Sequence, residues 1–163
     1  MANNSVLMPF KDRDHAHQRC LEKALDQAVK NCESRGVRLT PLRQRVLELI
    51  WGSHTPVKAY DLLDQLRDEQ IGSAPPTVYR SLDFLLEEGL IHKLQSLNAY
   101  VGCGEPLKHH TSQFLICRNC GEVAEMDDPE IQGVLSRKAE SLGFQVLDKT
   151  IEIQGLCEKC IAG

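Results

Sequence analysis

Two Cys-x-x-Cys pairs, Cys117/Cys120 and Cys157/Cys160, mark the second half of this 163-residue chain. Such a turn presents two thiolates to one ion. Two turns at the ends of one small α/β unit complete a closed four-cysteine shell, the form of a structural zinc site. A thioredoxin-like dithiol is the competing reading, but it needs only one pair, opening a helix after a strand. An iron–sulfur site is a third. Doubling of the motif favours zinc, because aromatics make up only 5% of the chain and a thin core gains from a metal staple. No apolar run suits a membrane helix and no h-region of a secretory signal is visible, so a cytoplasmic location is expected. There, cysteines serve as ligands or redox groups more often than as disulfides.

The first half has a different grammar. Residues 1–18 read as a flexible tail whose His15 and His17 could bind metal only adventitiously. From Cys20 to Arg35, Leu21, Leu25, Ala28, Val29 and Cys32 recur at helical spacing, so Cys20 and Cys32 read as packing residues. "LTPLRQRVLELI" supplies Thr40 as N-cap and Pro41 at the first helical position. "KAYDLLDQLRDEQ" predicts a second helix of this group, and "TVYRSLDFLLEEGL" a third that starts at Thr77 and stops at Gly89. "LIHKL" and "AYVGC" then form two short strands around "QSLN". Three helices and a hairpin are the order of a winged helix-turn-helix.

The second half reads as strand "QFLIC", knuckle, helix "DDPEIQGVLSRKAESLG", long strand "FQVLDKTIEIQGLC" and second knuckle. The fold class is α+β: a tail over 1–18, a winged-helix domain over 19–102 with a hinge at its end, and a zinc-stapled α/β domain over 103–163. The formal charge of −4 is uneven, since residues 30–45 carry Lys30, Arg35, Arg38, Arg43 and Arg45 against Glu33 alone. A local basic surface of this kind suits phosphates, or else a solvated helix face.

If the four-cysteine set is complete, Cys103, His109 and His110 are left over. His92, in the hairpin, and Glu125, shortly after Cys120, are further donors. Mixed N, S and O donors suit zinc. Each residue alone has an ordinary alternative, as a packed histidine or a small buried thiol.

The ordered set "RLTPLRQRVLELI", "AYDLLDQL", "PPTVYRSLDFLLEEGLIHK", "YVGC", "HHTSQFLICRNCGEV" and "GLCEKC" resembles the ferric uptake regulator family of bacterial metal-dependent repressors, over roughly residues 25–160. Within the family it is most similar to the zinc-sensing branch. The resemblance implies a homodimer on a palindromic double-stranded DNA operator, with an N-terminal DNA-binding domain and a C-terminal dimerisation domain. It implies no enzyme activity, no small-molecule substrate and no membrane partner. Two zinc ions per chain are implied, a structural one on Cys117, Cys120, Cys157 and Cys160 and a regulatory one on His92, Cys103, His110 and Glu125. His109 is the nearest competitor for the histidine place. Thr111 and Ser112 stand where iron-sensing members carry a longer run of His and Asp, which argues against an iron site. Sensing of iron, manganese or nickel remains the alternative within the family.

On the nucleic-acid side, the helix from Thr77 places Tyr79 and Arg80 off its apolar stripe. Arg80 can pair with guanine O6/N7, worth about 1–3 kcal/mol of discrimination. Tyr60 resembles the family's DNA-contacting tyrosine, and both tyrosines could instead pack between helices. Arg43 and Arg45 are expected phosphate contacts. Asp64 and Arg67, three apart on one helix, are either an intrahelical pair or a contact between neighbouring dimers on DNA.

Overall fold

The structure, a computed structural model, describes residues 5–11, 16–53, 55–71 and 74–163; His15 therefore lies outside the described residues. The chain divides into two units, one of Lys11–Lys108 and one of Met1–Phe10 with His109–Gly163. The first strand, β1 (Val6–Met8), belongs to the second of these.

The Lys11–Lys108 unit contains four helices and a hairpin: α1 (His17–Arg35), α2 (Pro41–Trp51), α3 (Ala59–Asp68), α4 (Pro75–Glu87), β2 (Ile91–Leu94) and β3 (Ala99–Gly102). The apolar stripes expected from helical periodicity converge, and Val46, Leu47, Ile50, Leu62, Leu66, Val78, Leu82 and Leu85 are all buried. The Thr40 side chain accepts a hydrogen bond from the Arg43 N–H at 3.3 Å, which fixes the start of α2. Helix α4 begins at Pro75, two residues before the expected Thr77. Both prolines fall in the first turn, where a missing N–H costs nothing. Helix α1 is tied to the end of α4 by Asn31 Nδ2 donating to the Glu88 carbonyl at 2.8 Å and by an Arg35–Glu88 ion pair at 3.0 Å. Among the described residues, no helix is long and apolar enough to cross a membrane.

The hairpin is anchored to α2 through Gly102. A Cβ at this position would stand 2.2 Å from the Trp51 ring, so the indole occupies the place of a side chain. Val57 and Tyr100 exchange backbone hydrogen bonds of 2.9 and 2.8 Å and fasten the hairpin from another side. Gly102→Val is expected to lower the stability of this unit by about 3 kcal/mol through overpacking. Denaturant unfolding followed by the fluorescence of Trp51, the single tryptophan, measures it. A loss below about 0.5 kcal/mol would mean the indole moves aside freely.

The second unit holds β4 (Gln113–Cys117), β5 (Val123–Met126), α5 (Pro129–Ser141), β6 (Ile151–Gly155) and α6 (Glu158–Ala162) beside β1. Its sheet has the order β1-β5-β4-β6, with β4 and β6 parallel and the other pairs antiparallel. Asp128 caps α5 by accepting from the Glu130 N–H at 2.9 Å.

Several expectations change here. Residues 6–8, expected in a loose tail, are a strand that pairs with β5, and His17 opens α1. The unit boundary falls after Lys108 instead of after residue 102. The long strand expected from Phe144 is confined to Ile151–Gly155, because its partner β4 is only five residues long and offers nothing for earlier residues to pair with. Strand β5 and helix α6 were not expected.

Candidate metal centre

The β4–β5 turn and the segment after β6 bring the two knuckles together. The sulfurs of Cys117, Cys120, Cys157 and Cys160 lie within 4.8 Å of one another, and those of Cys120 and Cys157 are 3.8 Å apart. A tetrahedron of Zn–S bonds about 2.3 Å long has edges of about 3.8 Å. Gly121 makes the first knuckle possible, with φ +77° and its N–H donating to the Cys117 carbonyl at 3.0 Å. The Arg118 N–H donates to the Gly155 carbonyl at 2.9 Å and extends the β4–β6 ladder to the metal-binding turns.

Electrostatics within the cluster call for a cation. The backbone N–H groups of Cys120 and Cys157 pull the Cys117 thiol down to about 6, so it ionises readily. At Cys120 the Glu122 N–H acts in the same direction. Burial and the sulfurs of Cys117, Cys157 and Cys160 outweigh it and push that thiol up to about 12. Four neighbouring thiolates repel one another unless a divalent ion neutralises them. The donor set and its spacing fit zinc.

The remaining donors occur as two pairs, one in each unit. In the second unit His110 and Glu125 face each other, with Nε2 and Oε1 2.9 Å apart. Glu125 sits on β5 opposite Phe114 and is completely buried. The Ser112 hydroxyl donates to the same Oε1 at 3.2 Å. In the first unit His92 stands on β2 opposite Val101, and Cys103 follows β3 with its N–H donating to the Leu90 carbonyl at 3.0 Å. Their ligand atoms lie within 4.8 Å of each other, and Cys103 is 1% exposed. No contact recommends His109 over His110, which has the carboxylate beside it.

The helices of the first unit present a polar, aromatic face. Tyr60, at the start of α3, is 70% exposed and Tyr79, on α4, is 48% exposed, so neither packs between helices. Thr77 and Arg80 are exposed on the same helix as Tyr79. The two expected phosphate ligands are otherwise engaged. Arg43 stacks over the Phe84 ring at 3.7 Å and donates to the Arg38 carbonyl at 2.6 Å. Arg45 holds Glu69 at 2.6 Å and Glu48 at 2.9 Å, and these bonds, that to Glu69 first, raise its pKa above the ordinary guanidinium value. A phosphate would have to compete with two carboxylates for Arg45. Arg67 pairs with Asp64 on its own helix at 3.1 Å.

A family model described as "Ferric uptake regulator family" matches residues 34–154. The chain belongs to this family. Among its relatives, the "Zinc uptake regulation protein" of Escherichia coli (strain K12) is 43% identical over 143 residues, covering 86% of this chain and 82% of that one. The "Peroxide operon regulator" of Bacillus subtilis (strain 168) is 30% identical over 138 residues, covering 83% and 92%. A solved structure described as a zinc uptake regulator complexed with zinc and DNA superposes with a TM-score of 0.82 at 43% identity, covering 87% of this chain and 95% of that chain. Holo XcZur superposes with a TM-score of 0.80 at 44% identity, covering 91% and 100%.

For a ferric uptake regulator family chain, two features escaped the sequence reading. By sequence pattern Ser112 marks only a departure from a His/Asp run, although its place two residues after His110 puts a hydroxyl beside the same carboxylate. Strand β1 lies before the residues that the family model matches and has only three apolar residues to announce it.

Proposed function

We propose that this protein is a zinc-responsive repressor of zinc-uptake genes that binds a palindromic operator as a zinc-loaded homodimer in the cytoplasm. The observation that carries the reading is the division of donors: a complete four-cysteine set inside one unit, and two half-sets, His92 with Cys103 and His110 with Glu125, in different units. The first suits a metal that folds a domain. The second suits a metal that links domains, and therefore one whose binding can be read as a signal. The 43% identity to a zinc uptake regulation protein supports zinc as that metal.

Zinc would bring a charge of +2 and a preference for four ligands. Two neutral imidazoles, one thiolate and one carboxylate match that charge. This chain's part is to hold the carboxylate of Glu125 dry, to orient His110 against it and to present Cys103 from the end of the wing. Ligands on both units favour the state in which all four meet, and zinc shifts the population toward it. A fixed arrangement of two recognition helices sets the half-site spacing that a dimer reads. By linkage, DNA tightens zinc binding by the same factor.

Dimerisation has support in the second unit. Its α5 has no buried residue, and Leu135, Phe144, Ile153 and Leu156 are exposed. Apolar surface of this extent is what a second copy would cover. Tyr60, Thr77, Tyr79 and Arg80 would face DNA, while Arg43 and Arg45 would chiefly brace that surface. Asp64 and Arg67 could reach a neighbouring dimer only by opening their own pair.

Metal analysis of protein captured on operator fragments tests the reading. About two zinc ions per chain on DNA are expected, with one lost together with DNA binding on mild chelation. Iron, manganese or nickel in the DNA-bound form would overturn zinc as the sensed metal.

A further inference from the structure

The carboxylate of Glu125 is a costly object to bury. It is completely shielded from solvent on β5, and a carboxylate removed from water is strongly destabilised unless donors hold it. One such donor is the Ser112 hydroxyl, itself 8% exposed, at 3.2 Å from Oε1. The same oxygen faces His110 Nε2 at 2.9 Å.

The arrangement follows from strand register. Glu125 pairs with Phe114 across β4 and β5. Ser112 lies two residues before Phe114, which makes it the diagonal neighbour of Glu125 on the same face. His110 lies two residues earlier still. A short run therefore delivers an imidazole and a hydroxyl to one carboxylate oxygen. The hydroxyl has a single proton to give, and an ionised carboxylate can only accept. Ser112 therefore fixes the rotation of the carboxyl group without entering the donor set that a zinc ion prefers.

We propose that Ser112 is a positioning residue for the regulatory metal site: it holds the Glu125 carboxylate in its ligating orientation and thereby sets metal affinity. The proposal rests on the reading of Glu125 as a metal ligand. Groups that orient ligands in this way typically change metal affinity about 10–100-fold when removed.

The test compares Ser112→Ala, Ser112→Thr and Glu125→Gln in the full chain with the four-cysteine site loaded. Cobalt(II) is titrated into the regulatory site, with its visible absorption as readout and zinc competition for affinity. Ser112→Ala is expected to weaken binding about 10–100-fold and alter the cobalt spectrum, while the regulatory-metal-free protein stays folded with a lowered thermal midpoint, because Glu125 loses one donor. Ser112→Thr, which keeps the hydroxyl, is expected to restore the spectrum and most of the affinity. Wild-type affinity in Ser112→Ala would overturn the proposal, and so would an equal loss in both variants, which would report packing. Wild-type metal binding in Glu125→Gln would instead remove the reading on which the proposal stands.

Discussion

Cys103→Ser is expected to abolish zinc-dependent operator recognition while both knuckles keep their metal. The substitution changes one atom at a position that is 1% exposed and close to His92, so the fold has little reason to respond. Ligation has every reason to. A hydroxyl stays protonated where a thiol ionises, and thiolate is among the donors that zinc favours. On the proposed ligand set, two imidazoles and one carboxylate would leave the ion with an uncompensated positive charge. On the proposed switch, loss of the regulatory ion would depopulate the state that presents both recognition helices together, and the protein would fall back on charge-driven binding. Specific sites are typically preferred over such binding by about 10³-fold or more, so operator affinity is expected to fall by a factor of this order. Fluorescence anisotropy with operator and scrambled duplexes at one fixed salt concentration measures it, because backbone contacts vary steeply with salt. Operator binding at wild-type strength without added zinc would defeat the switch model.

Cys157→Ser is expected to produce a different and larger failure. Cys157 is buried, its N–H reaches the Cys117 sulfur at 3.4 Å, and it leads directly into α6. Structural zinc contributes apparent binding free energies of about 10–16 kcal/mol in small metal-folded domains. The second unit has apolar surface left exposed and a small core of its own, so losing even part of that energy should unfold it. The first unit has its own core of α1 to α4 and should survive. The expected signature is a protein that retains the fluorescence of native Trp51 but no longer dimerises and is cut by protease after residue 108. Acid should act in the same direction. Cys117 stays ionised down to about pH 6, whereas Cys120 binds a proton up to about pH 12 when metal-free, so falling pH returns protons to the knuckles and weakens metal binding. A dimeric Cys157→Ser protein with protected amides across β4 and β6 would show that the sheet holds without the ion.

The helices of the first unit were legible because their apolar stripes and caps are local: Thr40, Pro41 and the spacing of Leu62, Leu63 and Leu66 state their own geometry. The knuckles were legible for the same reason, since a Cys-x-x-Cys turn is a complete instruction within four residues. What could not be read is what depends on partners distant in sequence. Glu125 is legible as a donor in the sequence, but its complete burial and its Ser112 partner appear only when β4 is laid beside β5. Residues 144–150 lead straight into the alternation of Ile151 and Ile153, but continuity in sequence does not supply the neighbour that a strand needs. Arg45 looked available to phosphate because Glu69, 24 residues away, is invisible to any local pattern. Residues Val6–Met8 became a strand only because β5 has an edge at which Met8 stands opposite Glu125 and Val6 opposite Met126.

That last pairing bears on how the chain is made. The sheet of the second unit draws on both ends of the polypeptide, with the Asp127 N–H donating to the Ser5 carbonyl at 2.7 Å. During synthesis the first helices can pack as soon as they leave the ribosome, whereas Val6–Met8 must wait until β5 has been translated. No single cleavage of the chain can release both units whole: a fragment starting at His109 leaves one flank of β5 bare. A tag or a truncation at the N-terminus therefore acts on the half of the molecule that follows residue 108, on the strand that carries Glu125.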